Sequence, residues 1–338
     1  MSQTLTRRYC TGLLLLLLAM FTAIPVSATT LTLYSAREES LIKPLIDLYQ
    51  AETGHTIHFI TDKSDKLIQR LQAEGSHSPA DLLMTVDAGD LWFASRQQLL
   101  APVESEVLQS NIPAHLRDPK GQWYGLSARA RTLVYNSDRV SSDELVSYPQ
   151  LADPKWHERL CLRTSAKVYN KSLVAMLIHR YGVKTTSDFV SGWVANLAMP
   201  PLAKDSAVIR HIEAGDCDVG IINSYYFGRH QLNNPQTSLR LFWPTAENHG
   251  VHLNISGAGI TRHAPNKEQA IHFLEWLSQP AAQHLFARLN LEYPANPEVS
   301  PSATVLSWGE LQADQNNLTN AGRLQQYATR LMEKAGYR

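Results

Sequence analysis

Apolar and polar positions along this 338-residue chain switch repeatedly between period two and period three-to-four. Leu31-Thr32-Leu33-Tyr34 reads as a strand. Leu41, Ile42, Leu45, Ile46 and Tyr49 then recur at helical spacing until Gly54, and Thr56-Ile57-His58-Phe59-Ile60-Thr61 returns to a strand. Leu67, Ile68 and Leu71 mark a second helix, and Asp81 to Val86 a third strand. Asp87-Ala88-Gly89-Asp90 supplies capping chemistry before a helical stretch from Leu91 to Leu100. This β-α-β-α-β order predicts an α/β fold with a mainly parallel sheet flanked by helices, whose ligands bind at the carboxyl ends of the strands.

The middle of the chain repeats the grammar. Arg131 to Tyr135 reads as a strand leaving the first half, Leu160 to Arg163 as another, and Asp218 to Asn223 as a buried one. Helices are expected over Ser172 to Tyr181 and Ala207 to Glu213. Asn254 to Thr261 is expected to return to the first half before three helices, Lys267 to Ser278, Ala281 to Leu289 and Gly322 to Ala335.

The N-terminus changes the setting. Arg7 and Arg8 precede an apolar run from Gly12 to Phe21 that closes on Val26-Ser27-Ala28, the layout of a cleaved export signal over residues 1–28. The run is short for a membrane span, and Cys10 precedes it, which argues against lipid attachment there. Arg7-Arg8 leaves the general and twin-arginine routes both open. Losing this segment leaves 29 basic against 31 acidic side chains. That balance gives no footprint for nucleic acid or an anionic membrane, and the exported chain is expected to be a soluble periplasmic monomer.

Candidate chemistry centres on tyrosine. Tyr225 and Tyr226 follow the apolar run ending at Asn223, and Tyr169 lies upstream in Val168-Tyr169-Asn170-Lys171-Ser172-Leu173. Paired tyrosines are often mere packing, and strand alternation would send these two to opposite faces. Asn223, Ser224 and Gly228 are turn formers, so a strand end followed by a turn would let both hydroxyls converge. Three phenolates would neutralise Fe³⁺, and hard anionic oxygen suits that ion. The thirteen histidines lack zinc-ligand spacing, Asp81, Asp87 and Asp90 read as capping groups, and Tyr34 reads as packing. No nucleophile elbow, phosphate loop or complete dinucleotide fingerprint is present, which argues against an enzyme.

Tyr34-Ser35-Ala36-Arg37, Asp81 to Gly89, Arg163 to Leu173, Asn223-Ser224-Tyr225-Tyr226, Asn254 to Gly259 and Glu292 to Pro297 occur in one collinear set. Together they resemble the periplasmic ferric-ion-binding proteins of ABC transporters, over nearly the whole exported chain. The resemblance implies a two-lobed, transferrin-like binding protein with a strand hinge, one Fe³⁺ in the cleft and a membrane permease as partner. It places lobe one at residues 29–128 and 255–305 and lobe two at 129–254 and 306–338.

Carried over by motif, the family's tyrosine ligands fall on Tyr169, Tyr225 and Tyr226. Where members carry Arg-His-Tyr or a nearby His after the first strand, this chain reads Arg37-Glu38-Glu39. Either Glu38 or Glu39 completes the oxygen shell, or a small anion or water does. Arg129 and Arg131 are the candidates for holding a synergistic anion such as carbonate, Arg129 being preferred. A receptor for a small organic solute such as a polyamine or thiamine is the rival within this architecture, and an exported metalloenzyme the rival outside it. Cys161 and Cys217, the two cysteines left after export, predict one disulfide in an oxidising compartment. Each precedes a candidate ligand, Tyr169 or Tyr225, by eight residues, so the bond would hold two tyrosine-bearing strand ends in register.

Overall fold

The computed structural model describes residues 29–245 and 250–338. The export signal expected at residues 1–28 lies outside the described residues. The first half runs β1 (Thr30–Ser35), α1 (Glu39–Thr53), β2 (Thr56–Thr61), α2 (Ser64–Glu74), β3 (Leu82–Thr85), α3 (Ala88–Arg96) and α4 (Glu106–Asn111). A 13-residue strand, β4 (Tyr124–Asn136), leads to β5 (Leu160–Cys161), α5 (Val168–Ala195), α6 (Asp205–Ala214), β6 (Val219–Asn223), α7 (Ser224–Asn233) and β7 (Leu239–Phe242). The chain returns through β8 (Leu253–Ile260), α8 (Lys267–Ser278), α9 (Pro280–Asn290) and β9 (Tyr293–Pro294), and ends with α10 (Ala303–Leu306) and α11 (Thr319–Lys334).

Local chemistry explains these elements. α1 buries Ile42, Leu45, Ile46 and Tyr49, one stripe at helical spacing, and stops at Gly54, whose φ of 72° is left-handed backbone that glycine adopts without steric cost. Each such side chain, fully withdrawn from water, contributes about 1.5–3 kcal/mol. α3 starts where the Asp87 side chain accepts the Gly89 N–H at 2.7 Å. Asp81 serves both the sheet and a helix start, accepting the N–H groups of Thr32 in β1 and of Asn266, the residue before α8.

The strands are ordered β2-β1-β3-β8-β4-β6-β5. β1 pairs parallel with β2 and β3, as the β-α-β-α-β reading predicts, while β8 and β4 join antiparallel and make the whole sheet mixed. β4 is the pivot. Tyr124 to Ala130 pair with β8, whereas Arg131 to Asn136 pair with β6 and β7, so one strand passes from one lobe's sheet into the other's. Separate hydrophobic cores lie on the two sides, one holding Leu33, Leu45, Leu83 and Phe273, the other Leu133, Leu173, Leu177 and Trp193.

β5 and β6 are parallel neighbours, with Cys161 opposite Gly220. Cys161 is joined to Cys217, 56 residues away, as expected from the cysteine count. Among the boundaries that differ from the sequence reading, two lie just before or at the segment carrying Tyr169. The strand expected over Leu160 to Arg163 is confined to Leu160–Cys161, and α5 begins at Val168 and not at Ser172. No side-chain cap marks that start, and a break at Gly182 (φ 79°) divides the helix just beyond its expected end at Tyr181.

Candidate metal centre

The three tyrosines come from two helix starts. Tyr169 occupies the first turn of α5, and Tyr225 and Tyr226 the first turn of α7, which begins directly where β6 ends. A helix, not the expected turn, follows the strand. This resolves the alternation problem, because consecutive residues on a helix are about 100° apart and not 180°. The two rings lie 4.3 Å apart between centroids at 30° to one another. Side chains in a first helical turn lean back toward the N-terminus, the positive end of the helix dipole, which favours a phenolate over a phenol.

All three tyrosines line one cavity of about 140 Å³, together with Ala36, Arg37, Glu38, Leu41, Val86, Arg129, Arg229, Ser256, Asn290 and Glu292. It is small. At about 30 Å³ per water it has room for a few water-sized groups, well below the ~300–1,000 Å³ usual for organic ligands. Its walls are cationic. Arg37 is buried and pairs with Glu292 at 3.0 Å while donating to Ser256 Oγ at 2.6 Å. Arg129 is buried beside it, donating to Ser256 Oγ at 3.0 Å and to the carbonyl of Val86, with Glu292 3.7 Å away. Burial alone would raise the Glu292 carboxyl, but Arg37, Arg129 and the Ser127 hydroxyl hold it below the ordinary value. Two arginines share this one carboxylate, so positive charge is left over toward the cavity.

Arg129 and two further arginines meet the phenols. The Arg129 and Arg163 guanidinium carbons lie 5.6 and 5.5 Å from the Tyr169 ring centroid, and that of Arg229 lies 5.3 Å from Tyr225's. Burial pushes Tyr169 above its usual value, partly offset by Arg129 and Arg163. Tyr225 is pushed well above, first by burial and then by the charge that Tyr169 and Tyr226 would carry. In the absence of a cation, Tyr169 and Tyr225 are therefore neutral phenols at neutral pH.

The other sequence candidates separate. Glu38 and Glu39 are both exposed, but Glu38 precedes α1 and lines the cavity, whereas Glu39 starts the helix and does not line it. Arg131, the second candidate for holding an anion, does not line the cavity. Its guanidinium is taken up by Asp205 at 2.8 Å and by Asn170 at 2.7 and 3.1 Å. With Arg163 also 3.3 Å from Asp205, the network ties the residue after Tyr169 to α6 and to the crossing strand. Tyr34 donates to Glu74 under the Arg70 guanidinium, away from the cavity. Sequence reasoning gave no role to Arg37, Arg163, Arg229, Ser256, Asn290 or Glu292. Arg37, Arg163, Ser256 and Glu292 lay within the collinear motifs without a role of their own, and Arg229 is four residues after Tyr225 and so on the same helical face.

Residues 45–313 match the bacterial extracellular solute-binding protein family. The chain is 38% identical over 320 residues to iron uptake protein A1 of Synechocystis sp., spanning 93% of this chain and 89% of that protein. It is 28% identical over 333 residues to the major ferric iron-binding protein of Neisseria meningitidis, spanning 95% and 97%. The structure of Trichodesmium (IdiA) (FutA) in complex with iron and citrate ligands superposes with a TM-score of 0.88 at 39% identity, over 91% of this chain and all of that one.

Proposed function

This chain belongs to the bacterial extracellular solute-binding protein family, and on that footing we propose that it captures Fe³⁺ in the periplasm and delivers it to an ABC permease. The chain is a binding protein and not an enzyme. Three phenolates, from Tyr169, Tyr225 and Tyr226, neutralise the trication, and for Tyr169 and Tyr225 ionisation is driven by the metal because burial opposes it otherwise. Loading expels phenol protons, so acid weakens the hold. Glu38 supplies oxygen from lobe one, and the surplus charge of Arg129 retains a small anion such as carbonate against the metal.

The observation that carries this reading is the conjunction of three phenols with a cavity of about 140 Å³. Phenols set among arginines suit a metal ion with small anionic co-ligands and disfavour a polyamine or thiamine, whose positive charge these arginines would repel. The iron named in the Synechocystis, Neisseria and Trichodesmium relatives supports the same cargo. Protein purified from the periplasm without chelator tests it: about one iron per chain and a visible phenolate-to-iron absorption band are expected. Colourless protein that takes up no Fe³⁺ would overturn it.

A further inference from the structure

We infer that Asp87 is a positioning residue for Tyr169, acting across the cleft through Ser172, so that closing the first lobe onto the second fixes the helix start that carries Tyr169. The inference rests on the ferric reading of the site. Asp87 lies between β3 and α3 in the first lobe and is fully buried. Its two oxygens do different work. Oδ1 accepts the Gly89 N–H at 2.7 Å and caps α3, while Oδ2 accepts the hydroxyl of Ser172 at 2.7 Å. Ser172 is itself buried, on α5 of the second lobe, three residues after Tyr169 and hence on the neighbouring helical face.

A cap needs one oxygen. The second is spent on the other lobe, on a hydroxyl from the second turn of α5, while the start of α3 presents its positive end to the same carboxylate. The backbone next to Asp87 adds a further link, since the Val86 carbonyl accepts from Arg129, whose guanidinium lies over the Tyr169 ring. A separate observation shows how closely α3 is held to the second lobe. On α11, a Cβ added at Gly322 would lie 2.5 Å from Trp92 Cβ, and one added at Gly89 would lie 2.5 Å from Gln325 Nε2. Small residues on both helices allow an approach that puts Asp87 within hydrogen-bond reach of Ser172. Because its partners belong to different lobes, the bond favours the closed arrangement, and a ligand that needs that arrangement gains by the same factor.

The test uses the full exported protein carrying Ser172→Ala. Alanine keeps the helix, and the cost of leaving one buried Asp87 oxygen unpaired is read separately as a lower melting temperature. Fe³⁺ affinity by citrate competition, the visible band and iron-induced compaction by small-angle scattering are compared with wild type. The expected result is a hold about ten- to a hundredfold weaker, the range for a lost hydrogen bond to a charged group, with a displaced band and reduced compaction. A variant that merely melts earlier while keeping wild-type affinity and band would overturn the inference and leave the ferric site standing. Wild-type protein without any band would overturn the ferric reading itself, and this inference with it.

Discussion

At the scale of single residues, position on a strand or helix decides which of two like neighbours can act. Arg129 and Arg131 stand two apart on β4, where an undisturbed strand would aim both to one face. The strand changes partners between Ala130 and Arg131, from β8 to β6, and the two guanidiniums enter different lobes. Arg129 reaches the cavity; Arg131 is consumed by Asp205. Nothing in Ser127-Ala128-Arg129-Ala130-Arg131 discloses that switch, because partner choice is a long-range property. Glu38 and Glu39 divide in a similar way, one lining the cavity and the other on the solvent side of α1's first turn. Glu38→Ala is therefore expected to weaken Fe³⁺ binding by roughly tenfold, the loss of one charge-assisted contact, and Glu39→Ala to leave it unchanged. Competition titration of the two variants checks this, and equal effects would remove Glu38 from the site.

At the scale of elements, the β6–α7 junction does what strand periodicity could not foretell. The tyrosines were legible as a pair at a strand end, and their convergence comes from the helix that starts at Ser224. The start of α5 was less legible, because Lys167 offers no side-chain cap and the apolar run that signals the helix begins only at Leu173. The Cys161–Cys217 bond stabilises this lobe just before both tyrosine-bearing helices. For cysteines 56 residues apart, the chain-entropy account gives about 4 kcal/mol. Replacing both cysteines by serine is expected to lower the urea midpoint of the exported protein accordingly. The visible band of the iron-loaded protein should stay in place, since neither sulfur touches the cavity. An unchanged midpoint would show that the cross-link adds nothing to the fold.

At the scale of the whole molecule, the β-α-β-α-β opening and the return of β8 were readable from periodicity, and the collinear motifs carried the two-lobed architecture. Contacts made by α11 were not readable. Ala328, Leu331 and Met332 join the second core, while Gly322 lies against Trp92 of α3 across the cleft. Helical spacing marks an apolar stripe without saying what will cover it. The cationic frame was hidden for the same reason. Glu292 comes to Arg37 and Arg129 from the far end of the chain, and removing one member of such a buried pair costs about 3–5 kcal/mol. On the proposed reading, this frame lets three phenols become phenolates on one Fe³⁺. An absorbance-monitored Fe³⁺ titration of wild type beside the combined Tyr169→Phe, Tyr225→Phe, Tyr226→Phe variant tests it most directly. One equivalent bound with a visible band in the wild type, and neither in the variant, is the predicted result; a variant that keeps the band and full stoichiometry would contradict it.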